Sequence, residues 1–120
     1  MRFIVRVAAL LLFVLAPGLP GQAAERRCGW VENPTPANWW LRDREAEWMI
    51  STMGGYEAPG FDAMPDMQKA GWVWTNVRYG YGCGCMLVEV DRAAKRVTRL
   101  ISAAPALLAR CRADHRLPKP

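Results

Sequence analysis

Four cysteines are the most reactive side chains in the chain: Cys28, Cys83, Cys85 and Cys111. Their number is even, and two of them form a Cys-Gly-Cys step. In an oxidising compartment this composition predicts two disulfides. Three pairings are possible. A direct Cys83–Cys85 bond is disfavoured, because a strand holds two such side chains in the wrong geometry. Two patterns remain, each tying Cys28 and Cys111 to the central step. The reading preferred from sequence is Cys28–Cys83 with Cys85–Cys111. The loops closed are long, so each bond contributes ~2–4 kcal/mol. The alternative chemistry is a soft-metal site. Cys83 and Cys85 with Met64, Met67 and His115 offer the thiolate and thioether ligands that Cu(I) selects. That requires free thiolates, so the disulfide reading leads, and a copper-binding or redox-responsive envelope protein is kept as the alternative.

Aromatic and acidic side chains supply the other candidates. Trp39 and Trp40 are adjacent, so in an extended segment they point opposite ways. One facing outward, with Tyr79 or Tyr81, would make a platform for sugar rings or a protein partner. The competing reading is that these rings fill the core. Asp43, Glu45 and Glu47 form a carboxylate cluster. A glycosidase needs two carboxylates ~5–9.5 Å apart across a cleft, whereas a solvated strand face needs no such geometry. His115 is the only histidine and sits in a basic tail beside Asp114. The sequence contains no Gly-x-Ser-x-Gly nucleophile motif. These residues favour a non-enzymatic binding module and call for no cofactor.

The elements that must position these residues begin after residue 23. Arg2 and Arg6 precede an apolar run from Val7 to Ala16, then Pro17, Gly18 and Pro20, then Gly21-Gln22-Ala23. This is the pattern of a cleaved export signal, and ten apolar residues are too few for a membrane span of ~20. A periplasmic or secreted location follows. Losing Arg2 and Arg6 from the 16 basic residues, against 11 acidic ones, lowers the net charge from +5 to +3. That charge is scattered, so no nucleic-acid partner is expected. The remaining domain, 24–115, keeps all six tryptophans but few aliphatics. Domains this small often need covalent staples. Residues 116–120 read as a frayed basic tail.

Within the domain, residues 25–32 predict a short strand with Cys28 and Trp30 on one face, ended by Asn33-Pro34-Thr35-Pro36. Residues 45–52 place Ala46, Trp48 and Ile50 on one strand face. Residues 54–71 read as a long loop with one helical turn near Pro65–Lys69. Residues 71–76 and 79–85 have strand composition. Alternating glycines at 80, 82 and 84 leave one face bare and put Tyr79, Tyr81, Cys83 and Cys85 on the other. Met86–Val90 and Arg96–Ile101 predict a hairpin. Ser102–Asp114 predicts a helix with Leu107, Leu108 and Cys111 on one face.

Several segments together carry a resemblance. They are Arg27-Cys28-Gly29-Trp30, Asn33-Pro34-Thr35-Pro36, Asn38-Trp39-Trp40-Leu41, Asp43-Arg44, Glu47-Trp48 and Thr75-Asn76. Tyr79 to Cys85 and Cys111-Arg112-Ala113-Asp114 complete the set. The chain resembles a family of small secreted bacterial proteins catalogued only as a domain of unknown function. The likeness covers nearly all of the mature chain, with little from residues 54–70. It implies a bacterial, periplasmic protein and carries over no catalytic residue. The expected fold is β-rich α+β: a small twisted antiparallel sheet of four or five strands, barrel-like, with one short C-terminal helix and two disulfides. The expected partner is an envelope ligand such as peptidoglycan, or an envelope protein.

Overall fold

The computed structural model describes residues 23–120, so all but the last residue of the export signal lies outside the described residues. Strand β1 spans Glu25–Thr35, β2 Asn38–Arg42, β3 Glu47–Ser51, β4 Val73–Asn76, β5 Tyr79–Asp91 and β6 Arg96–Ala106. Helix α1 spans Leu108–Arg112. The pairing order is β1-β2-β3-β6-β5-β4, and β1 also pairs with β5. Five strands therefore close into a ring, with β4 added outside it on β5. The β3–β6 contact is parallel and made at Met49↔Arg96, while the other pairings are antiparallel. A small closed barrel of this kind removes most open sheet edges. The expectation of a barrel-like, disulfide-bonded, β-rich domain holds. The sheet has six strands and mixed pairing where four or five antiparallel strands were expected.

Alternation decides which residues enter the barrel. Val31 on β1, Leu41 on β2, Trp48 and Ile50 on β3, Met86, Val88 and Val90 on β5, and Val97 and Leu100 on β6 form one buried cluster. The glycine face of β5 also points inward, and the loop before β4 fills it. A Cβ on Gly82 would lie 2.7 Å from the Trp72 ring, and one on Gly84 would lie 2.6 Å from the Met67 methyl. Met67, Trp72 and Ala58 are all buried in the barrel cluster. The 54–71 segment is thus a plug, with a 3₁₀ turn at Phe61–Ala63 and hydrogen-bonded turns at Asp66–Lys69 and Gln68–Gly71.

Three local expectations are corrected. Pro34 does not end β1, because it sits where the β1–β2 register shifts between Glu32 and Thr35; a bulge tolerates proline's missing N–H. The segment 102–106 is strand, not helix. It pairs with β5 from Leu87↔Ser102 to Cys83↔Ala106. Pro105 opposite Gly84 is tolerated because no third strand pairs with that end of β6. Only Leu108–Arg112 is helical. The tail read as frayed is docked, since the Trp30 Nε1–H donates to the Pro118 carbonyl at 3.1 Å and Leu117 packs on Trp30, Cys83 and Cys111.

Candidate functional site

The β1–β5 register settles the disulfides. Cys28 lies directly opposite Cys85, and Trp30 lies opposite Cys83. The bonds are Cys28–Cys85 and Cys83–Cys111. The preferred pairing, Cys28–Cys83 with Cys85–Cys111, is therefore wrong. It would have required a diagonal bond two residues out of register, in a space that the Trp30 side chain occupies. All four described cysteines are paired. The copper set is also separated. Met67 plugs the barrel interior beside Gly84, while Cys83 and Cys85 point to the opposite face of β5.

The aromatic candidates divide by the same alternation. Trp39 turns inward, with ring centroids 6.0 Å from Phe61 and 6.3 Å from Trp72. Trp40 faces outward beside its cross-strand partners Glu32 and Met49. Glu32 is also the partner of Tyr81. One row on the outer surface therefore runs Tyr81, Glu32, Trp40. Two strand spacings separate the rings, about 10 Å. Tyr79 continues the same face of β5. All three rings are half-buried, as side chains lying on a strand surface are. Arg42 pairs with Glu32 and Glu47 across this face, and Glu32 is the first cause of its raised guanidinium pKa. The face thus offers flat rings flanking a fixed carboxylate–guanidinium pair. Trp74, 61% exposed, lies opposite Gly80 and so on the reverse side of β4. The sequence alone does not single it out; the signal available is its place in the short strand just before the Val77-Arg78 turn.

The carboxylate cluster is engaged by arginines. Arg27 points into the end of the barrel and is only 8% exposed. Its Nη1 donates to Asp43 Oδ2 at 2.6 Å, and its Nη2 donates to Glu25 and Glu45, each at 2.6 Å. The guanidinium lies 4.3 Å from the Trp48 ring centroid, and Lys95 lies 5.5 Å from it. Asp43 Oδ1 accepts from the Glu45 and Ala46 amides and from Trp48 Nε1. Burial would raise the Asp43 pKa, but these bonds and Arg27 outweigh it and hold the carboxyl below its ordinary value. Glu45 is likewise lowered, first by its bond to Arg27, and Glu47 pairs with Arg42. Asp43 and Glu45 are counter-ions held ionised, the opposite of a raised general acid. His115 is exposed, and its neighbour Asp114 pairs with Arg44 at 2.8 Å. A cavity of about 1040 Å³ opens beside this network, lined in part by Arg26, Cys28, Arg44, Arg110 and His115.

No helix among the described residues is long and apolar enough to cross a membrane. Residues 22–118 match a protein-family model described as a protein of unknown function (DUF4087). No curated protein and no solved structure matches the chain.

Proposed function

We propose that this chain, which belongs to the DUF4087 family of proteins of unknown function, is an exported binding module for a glycan of the bacterial envelope. It acts without catalysis, presenting the outer face of β5, β1 and β2. One observation carries this reading: Trp40 and Tyr81 flank Glu32 in a single outward row while Trp39 is spent on the core. Tyr and Trp suit such a surface, because each joins a flat apolar body to a polar tip. The Glu32–Arg42 pair between and beside the rings supplies an acceptor and a donor for hydroxyl and amide groups. Two disulfides support export, since such bonds persist in oxidising compartments. The Asp43 and Glu45 environments support binding over hydrolysis, because the Ala46 amide and Arg27 hold Asp43 ionised and Arg27 holds Glu45 ionised.

Retention of the purified, disulfide-intact protein on insoluble peptidoglycan tests the proposal. Trp40→Ala and Tyr81→Ala should each cut retention at least fivefold at unchanged fold. Trp39→Ala should lower stability instead. Equal retention by wild type, Trp40→Ala and Tyr81→Ala would remove the glycan platform. Weighing the exported product of the full chain tests the leader separately, and an intact N-terminus would overturn it.

A further inference from the structure

The C-terminal tail occupies a groove that has its own chemistry. Trp30 and Tyr81 meet edge to face, with centroids 5.4 Å apart and planes at 87°. The Trp30 indole N–H, a donor with no acceptor capacity, is directed at the Pro118 carbonyl at 3.1 Å. Leu117 packs into the cluster of Trp30, Cys83 and Cys111, and Leu108 of α1 packs beside it. Trp30 is 4% exposed with the tail in place. The tail does not fill the groove. A cavity of about 320 Å³ remains, lined by Trp30, Tyr81 and residues of the tail.

The segment in the groove is Leu117-Pro118-Lys119-Pro120. Proline fixes φ and removes the backbone donor, so a proline-rich segment is extended, preordered and rich in unpaired carbonyls. Grooves lined by aromatic rings recognise such segments, with carbonyls meeting ring N–H or O–H donors and the apolar rings packing on prolines. Here the Trp30 N–H meets the Pro118 carbonyl, Leu117 supplies the apolar contact, and Pro118 and Pro120 line the space left beside Trp30 and Tyr81. We propose that the Trp30–Tyr81 groove is a receptor for extended proline-rich peptides, and that Leu117–Pro120 is its built-in occupant. The tail is tethered through Cys111 and through Asp114 on Arg44. A short tether gives an effective concentration in the millimolar range. The Trp30–Pro118 hydrogen bond and the Leu117 contacts seat the last residues in the groove, and an incoming segment of the same chemistry competes for them. The groove shares Tyr81 with the proposed glycan face but does not include Trp40, so Trp40→Ala separates the two readings.

The test uses the full chain with ¹⁵N-labelled tryptophan and a synthetic peptide of residues 115–120. The Trp30 indole N–H resonance reports binding. Leu117→Ser, or Leu117→Asp as a second choice, removes the apolar contact that seats the tail without touching the barrel, and the other five indole resonances report that the fold is intact. The peptide should bind Leu117→Ser at least tenfold more tightly than wild type. Tyr81→Ala in the same background should abolish the gain, as should a peptide with both prolines replaced by alanine. Trp40→Ala should leave the affinity unchanged. Equal affinity for wild type and both release variants, no binding to a folded release variant, or undiminished binding of the alanine peptide would overturn the proposal.

Discussion

Replacing Asp43 by alanine removes the acceptor on which one end of the barrel is organised. Four donors lose their partner: Arg27 Nη1, Trp48 Nε1 and the amides of Glu45 and Ala46. Asp43 is 7% exposed and Arg27 8%, so the ion pair is buried. Breaking a buried pair by deleting one partner costs about 3–5 kcal/mol, because the other charge is left uncompensated. Arg27 retains Glu25 and Glu45, which places the loss at the lower end, about 3 kcal/mol. For a domain of this size each kcal/mol moves the melting temperature by roughly 4–8 °C, so thermal unfolding of the oxidised protein should fall by about 12–24 °C. Asp43→Asn should lose less, since its carbonyl still serves Trp48 and the amides while its NH₂ opposes Arg27. The pH dependence follows from the lowered pKa. A carboxyl whose folded pKa lies below its unfolded value stabilises fully above that unfolded value, about 3.9. That contribution disappears as pH falls through the folded pKa. The gap between wild type and Asp43→Ala should therefore be full at pH 7 and shrink below about pH 4. A loss under about 1 kcal/mol at pH 7, or a gap undiminished at pH 2, would refute the role given to this pair.

Three further outcomes are expected. Peptide mapping of the unreduced protein should recover Cys28 linked to Cys85 and Cys83 linked to Cys111; any Cys28–Cys83 peptide would contradict the β1–β5 register. Trp39→Ala should cost roughly 2–3 kcal/mol, as a half-buried member of the core range for such truncations, while Trp40→Ala should stay within about 1 kcal/mol in urea unfolding. Tyr56→Phe deletes the hydroxyl that donates to the Val97 carbonyl at 2.8 Å, and should cost about 1 kcal/mol by the same measurement.

Period-two patterns carried most of what was legible in the sequence. The inward set Trp48 and Ile50, the bare glycine face of β5 and the hairpin of β5 with β6 all follow from alternation. So does the shared face of Cys28 and Trp30. What alternation cannot supply is register between distant strands. Cys28 and the Cys-Gly-Cys step are 57 residues apart at the bonded pair, and a shift of two residues preserves every face while exchanging Cys83 for Cys85. The helix was overextended for a related reason. Ala103, Ala104 and Pro105 suit a first helical turn, but pairing to β5 continues to Ala106, and a tertiary partner overrides a weak local preference. Residues 54–71 show no period because they form neither face of a sheet. Met67 and Trp72 enter the barrel singly, each into the space left by a missing Cβ. The tail reads as frayed because its partner, Trp30, lies 88 residues upstream. The arginine contacts of Asp43 and Glu45 are equally invisible, since Arg27 belongs to β1.

Along β5 the stability of the barrel and the proposed binding face are two sides of one strand, and this makes the strand its own control. Gly80, Gly82 and Gly84 turn towards neighbours that a side chain would strike, namely the Val73 carbonyl, the Trp72 ring and the Met67 methyl. Overpacking of this kind costs about 1–3 kcal/mol. Tyr79 and Tyr81, in alternation with them, stand on the outer face. Alanine substitutions from 79 to 84, with Cys83 left in place, should therefore give an alternating record. The glycine positions should lower the melting temperature by roughly 4 °C or more and retain peptidoglycan binding in the folded fraction. The tyrosine positions should keep most of the stability and lose retention. Both properties falling together at every position would mean that β5 has no separate outer function and that its tyrosines serve the fold alone.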